Sequence, residues 1–179
     1  MKVLVTGFKP FNNNYNNYSS EVLQFINNVD KLIIDVKYNQ CYLEIMRQVD
    51  LEKYDLIIAL GEARKRKVLT LEKLAKNIMD CSLADNSGQI KKNQLISDHG
   101  PNEIMTKVNL NGMEDLVEFS HDAGKFVCNN LYYHLLLNHG HKALFIHVPE
   151  CDNNIDNYLK YAKTIEQIIK KIGENRWNI

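Results

Sequence analysis

The sequence predicts an α/β fold, a three-layer single domain over residues 1–179. Segments that read as strands alternate with segments that read as helices. The clearest strand, LIIAL at 56–60, is apolar without a break, as expected when helices cover both faces of a sheet. The chain length of 179 residues suits one domain with its own core, and no linker or internal repeat divides it.

In order along the chain, KVLVT at 2–6 reads as a buried strand, and GFKPF after it as a loop punctuated by Gly7 and Pro10. The run NNNYNNY at 12–18 suits turns, and Ser19 or Ser20 then reads as the cap of a helix to about residue 28. KLIIDVKY at 31–38 is the second strand. A helix over 40–50 follows, with Cys41, Ile45, Met46 and Val49 facing inward. LIIAL is expected to end at Gly61 and enter a charged loop, EARKR. VLTLEKLA fits strand or helix. Two short strands at 78–82 and 90–96 are expected around a turn at Asn86, Ser87 and Gly88. Residues 102–116 read as a helix, and 125–138 as another that ends at Gly140. ALFIHV at 143–148 is a strand stopped by Pro149. The last helix runs over 153–173, with Ile155, Leu159, Ala162, Ile165, Ile169 and Ile172 in register.

Composition removes several function classes. Apolar residues make up 45% and charged residues 25%, and the formal net charge is zero. That balance argues against a broad nucleic-acid surface. No segment approaches the roughly 18 apolar residues of a membrane helix, and the N-terminus carries no signal-peptide pattern, so a cytoplasmic location is expected. The cysteines, Cys41, Cys81, Cys128 and Cys151, are spread without a CxxC pair, which speaks against a disulfide scaffold.

Some residues carry chemistry. Cys128 in AGKFVCNN falls near a helix start, where free amides and the helix dipole favour a thiolate and can hold an oxyanion. The plain alternative is a thiol that fills core space. His147, at the end of a strand, can accept a thiol proton and return it to a leaving amine, or it can be a structural histidine. Glu72 can orient an imidazole, or simply cap or solvate. Phe8 and Phe11 can enclose a flat ligand or cap the core, and Asn17 is one of several asparagines able to offer an amide. Arg64, Lys65 and Arg66 can meet an anion or form a solvated cluster, without phosphate-loop spacing. The scattered His121, His134, His139 and His141 give no metal signature.

Four segments together resemble the pyroglutamyl peptidase family, also called pyrrolidone-carboxylate peptidases. They are MKVLVTGFKPF, LTLEKLAKNIMDCSLADNSG, SHDAGKFVCNNLYYHLL and FIHVP, in the family's order and across nearly the whole chain. The resemblance implies a single α/β domain with a twisted mixed central sheet, and a thiol peptidase that removes an N-terminal pyroglutamyl residue from peptides. It implies Cys128 as nucleophile, His147 as base and Glu72 as orienting acid, with Phe8, Phe11 and Asn17 at the substrate. It implies a peptide or small amide substrate, no metal or organic cofactor, and a homodimer or homotetramer. The alternatives are an amidase for another small acyl group and a noncatalytic homologue.

The chain departs from the family pattern at several positions. Asn12 and Asn13 stand for two glycines, Glu62 for a glutamine, and Arg64 and Lys65 for two further glycines. Ser82 stands for an arginine, His121 and Asp122 for a small or polar pair, and Glu150 for an aromatic residue.

Overall fold

A computed structural model of the chain describes residues 1–151 and 154–175. Its elements, in chain order, are β1 (Val3–Phe8), α1 (Tyr18–Phe25), β2 (Asp30–Ile34), α2 (Gln40–Gln48), β3 (Leu56–Ala63) and β4 (Thr70–Glu72). There follow β5 (Leu74–Lys76), β6 (Met79–Cys81), β7 (Lys91–Gln94), β8 (Glu103–Met105), β9 (Glu118–Ser120), α3 (Val127–His139), β10 (Ala143–Pro149) and α4 (Ile155–Asn175).

The main sheet has the order β2-β1-β3-β10-β4-β9. β2, β1, β3 and β10 run parallel, and β4 pairs antiparallel to β10, so the sheet is mixed. Side chains alternate between its faces, because strand periodicity is two. Leu4, Ile57, Ala59, Ala143 and Phe145 join one apolar cluster with residues of α2 and α3. Val3, Val5, Ile58, Leu60, Leu144, Ile146 and Val148 join a second with α1 and α4. The result is the three-layer arrangement expected from the unbroken apolar strands.

Local expectations fared unevenly. The two-strand excursion is present, as β6 paired antiparallel with β7. Asp85 to Gly88 forms its turn, with Gly88 at φ 82°, a left-handed backbone that glycine adopts without strain. VLTLEKLA resolves into the two strands β4 and β5. The expected helix at 102–116 is not formed. Glu103–Met105 is drawn into strand β8 by pairing with β5, and the backbone then turns at Gly112, φ 76°. Val108, Leu110 and Leu116 are partly buried and pack against the apolar cluster that also holds residues of α1 and α4.

Smaller corrections follow from packing and capping. β3 does not stop at Gly61 but pairs on with β10 as far as Ala63. Gly7 and Phe8 belong to β1 rather than to the loop. α1 is capped by Asn17, not by Ser19 or Ser20, and ends at Phe25. On α2, Cys41 and Ile45 are buried and Val49 packs partly, while Met46 is exposed. On α4, Ala162, Ile165 and Ile172 face inward with Tyr158 and Ile168, whereas Ile155 is exposed. The expected helix start at residue 153 lies outside the described residues. No helix among the described residues is long and apolar enough to cross a membrane.

Candidate active site

His147, Glu72 and Cys128 converge on one face of the sheet, the face covered by α2 and α3. On β10, His147 follows Phe145 at a spacing of two and so points the same way. Glu72 pairs with Phe145, and His147 pairs with Thr70, across the antiparallel β4–β10 ladder. Glu72 and His147 are therefore diagonal neighbours, within reach of long side chains. The His147 Nδ1 to Glu72 Oε1 distance is 2.7 Å. A carboxylate only accepts, so Nδ1 carries the hydrogen and Nε2 is left as the acceptor.

Cys128 arrives from the other layer. It is the second residue of α3, whose N-cap, Phe126, makes no side-chain capping bond. Gly61 is the β3 partner of His147 in the parallel ladder. A Cβ built on Gly61 would stand 2.8 Å from Cys128 Sγ and 2.6 Å from the Phe145 ring. The glycine thus lets α3 lower its thiol onto the strand beside His147. Both Cys128 and His147 line one cavity of about 310 Å³.

Phe8, Phe11 and Asn17 line the same cavity. Phe11 lies 5.8 Å from the Phe126 ring, so the loop after β1 closes over the start of α3. That loop turns through Asn12 and Asn13, at φ 54° and 59°. Asparagine tolerates this left-handed region better than other non-glycine residues, so both positions suit the turn. Asn86 Nδ2 donates to the Pro10 carbonyl at 3.0 Å and braces the loop from the Asp85 turn. Asn17 is also structural: Oδ1 accepts from the Ser19 N–H and hydroxyl, and Nδ2 donates to the Lys9 carbonyl.

Behind His147, Glu72 is fully buried. Its Oε1 also accepts from Arg66 Nη2 at 2.9 Å, while Oε2 has no hydrogen-bond partner among the described residues. Arg66 donates further to Ser120 Oγ and to the Asp122 carbonyl. Of the basic run, then, Arg66 is an internal brace for the Glu72 carboxylate. Its pairing was not legible, because Arg64, Lys65 and Arg66 look alike in sequence. Tyr132 of α3 fixes Glu72 from another side, its hydroxyl donating to the Glu72 carbonyl at 2.8 Å.

Glu62 also lines the cavity, with Arg64 beside it. Ser82 and Glu150 are exposed and are not among the lining residues. The thiol itself departs from the expectation of a helix-stabilised thiolate. Burial pushes the Cys128 thiol up to about 12, helped by the Glu72 and Glu62 carboxylates, against the pull of its own backbone N–H. At neutral pH the thiol is protonated, so a nucleophilic role needs a base at the moment of attack.

A profile described as pyroglutamyl peptidase matches residues 1–172. The chain belongs to the pyroglutamyl peptidase family. A pyrrolidone-carboxylate peptidase of Thermosipho melanesiensis is 31% identical over 173 residues, covering 87% of this chain and 86% of that protein. One from Brachyspira hyodysenteriae is 31% identical over 167 residues, covering 83% of each. The crystal structure of the pyrrolidone carboxyl peptidase of Fervidobacterium islandicum AW-1 superposes with a TM-score of 0.82 at 27% identity, covering 97% of this chain and 99% of that one. Family membership accounts for the mixed sheet and for the order of the segments that carry Glu72, Cys128 and His147.

Proposed function

We propose that the chain is a thiol peptidase that removes an N-terminal pyroglutamyl residue from peptides, with Cys128 as nucleophile, His147 as base and Glu72 as orienting acid. The observation that carries this reading is the 2.7 Å contact between His147 Nδ1 and a buried Glu72, behind a cavity that His147 and Cys128 share. In this scheme His147 Nε2 takes the Cys128 proton as sulfur attacks the carbonyl joining the pyroglutamyl ring to the peptide. The resulting imidazolium is stabilised by Glu72. Backbone N–H groups of the first turn of α3 face the developing oxyanion. His147 then protonates the leaving peptide amine, a thioester remains on Cys128, and water releases pyroglutamate.

Phe8 and Phe11 would sandwich the flat ring, and the remaining Asn17 Nδ2 hydrogen would meet its carbonyl. A peptide is the proposed substrate, and a homodimer or homotetramer the proposed assembly, which light scattering on purified protein reads directly. The cytoplasm is the proposed compartment, since Cys41, Cys81 and Cys128 are thiols rather than disulfides. The test of function is cleavage of a fluorogenic pyroglutamyl amide by the wild type and by the Cys128→Ala and His147→Ala proteins. The reading expects turnover that both substitutions reduce to background. Folded wild type that leaves a panel of pyroglutamyl amides intact contradicts it.

A further inference from the structure

The β3 residue that follows Gly61 brings a second carboxylate to the cavity. Glu62 has only 3% of its side chain exposed and lines the cavity with Cys128. Two groups hold it: the Tyr18 N–H, at the first turn of α1, donates to Oε2 at 3.1 Å, and Arg64 Nε donates to Oε1 at 3.1 Å. A helix start favours a negative group at this position. Arg64, by contrast, is 52% exposed, so the countercharge sits towards solvent while the carboxylate is buried.

We propose that Glu62 is an electrostatic brake on the Cys128 thiol, and that Arg64 is the counter-ion that partly releases it. Glu62 acts through Cys128 and is therefore a positioning residue, not a catalytic one. A nearby negative charge raises the free energy of a thiolate, and a neighbouring cation lowers it. The other groups facing Cys128 are Glu72 from β4, His147 from β10, Tyr38 from the turn before α2 and Cys41 from α2. Lys125 lines the same cavity but is paired with Asp80 at 3.3 Å. Among these, Glu72 already serves His147 and Arg66, which leaves Glu62 as the carboxylate whose charge can be removed without dismantling the imidazole support.

The inference rests on Cys128 being the reactive thiol of the proposed function, but it can be read without peptide cleavage. The experiment is the rate of Cys128 alkylation by iodoacetamide at fixed pH near neutrality, assigned by peptide mass spectrometry in the full chain. Glu62→Gln is expected to raise the rate at least about threefold, which corresponds to half a pKa unit. Arg64→Gln leaves the carboxylate in place and is expected to lower the rate. A glutamine carbonyl can still accept the Tyr18 N–H, so a purely structural Glu62 would be rescued by Gln. A Glu62→Gln rate within experimental error of the wild type, or below it, overturns the proposal. An unchanged Arg64→Gln rate removes Arg64 from it.

Discussion

The floor and the rim of the cavity are built differently. The floor is sheet: Glu72, His147 and Gly61 sit on paired strands in fixed register, and α3 sets Cys128 on top of them. The rim is loop and strand end: Asn12, Asn14, Arg64 and Leu83 line the opening. Register cannot drift by one residue without turning every side chain to the other face, so the floor tolerates little change. Rim residues need only keep a backbone path, and Asn12 and Arg64, two of the positions where the sequence differs from the pattern the resemblance implies, lie there. Glu62, another such position, sits on strand β3 rather than in a loop.

Changes to the floor should therefore have the largest effects. Glu72→Gln can present an amide N–H to Nδ1 and so favour the wrong imidazole tautomer. A loss of about two orders of magnitude or more in kcat/KM on a pyroglutamyl amide is expected. A loss below tenfold would mean that the tautomer is fixed by something other than the 2.7 Å contact. Gly61→Ala puts a methyl group against Cys128 Sγ and the Phe145 ring, and overpacking of that kind costs about 1–3 kcal/mol. Urea unfolding should show that cost together with lower activity. Full stability would mean that α3 can lift away from β3.

At the rim the expected effects are smaller and conformational. Asn13 stands at φ 59°, so Asn13→Ala should destabilise by about 1 kcal/mol. Asn13→Gly should be close to neutral, since glycine adopts this region freely. Thermal melts of the two variants separate backbone strain from side-chain contact. Equal losses in both would locate the importance of Asn13 in its amide instead.

The same contrast governs what the sequence revealed. The continuous apolar strands, the turn at Gly88, the helix end at Gly140 and the segments holding Glu72, Cys128 and His147 are local signals, and they were legible. The segment at 102–116 was not, because its apolar residues pack against a cluster built from distant elements while its backbone answers to β5, more than 25 residues earlier in sequence. The pairing of Arg66 with Glu72 and the burial of Glu62 depend on which way a loop or strand end faces. Asn17 shows the mixed case. The residues alone offered it as one of several asparagines able to present an amide and only the family resemblance singled it out, while its work as the α1 cap follows only from where the helix begins.

The central claim is that Cys128, served by His147 and Glu72, carries the acyl group. It is tested most directly by mixing protein with a pyroglutamyl substrate, quenching in acid and locating any adduct by peptide mass spectrometry. The account predicts a pyroglutamyl adduct on the peptide containing Cys128, absent from the Cys128→Ala protein. An adduct on another residue, or undiminished turnover by Cys128→Ala, would contradict it.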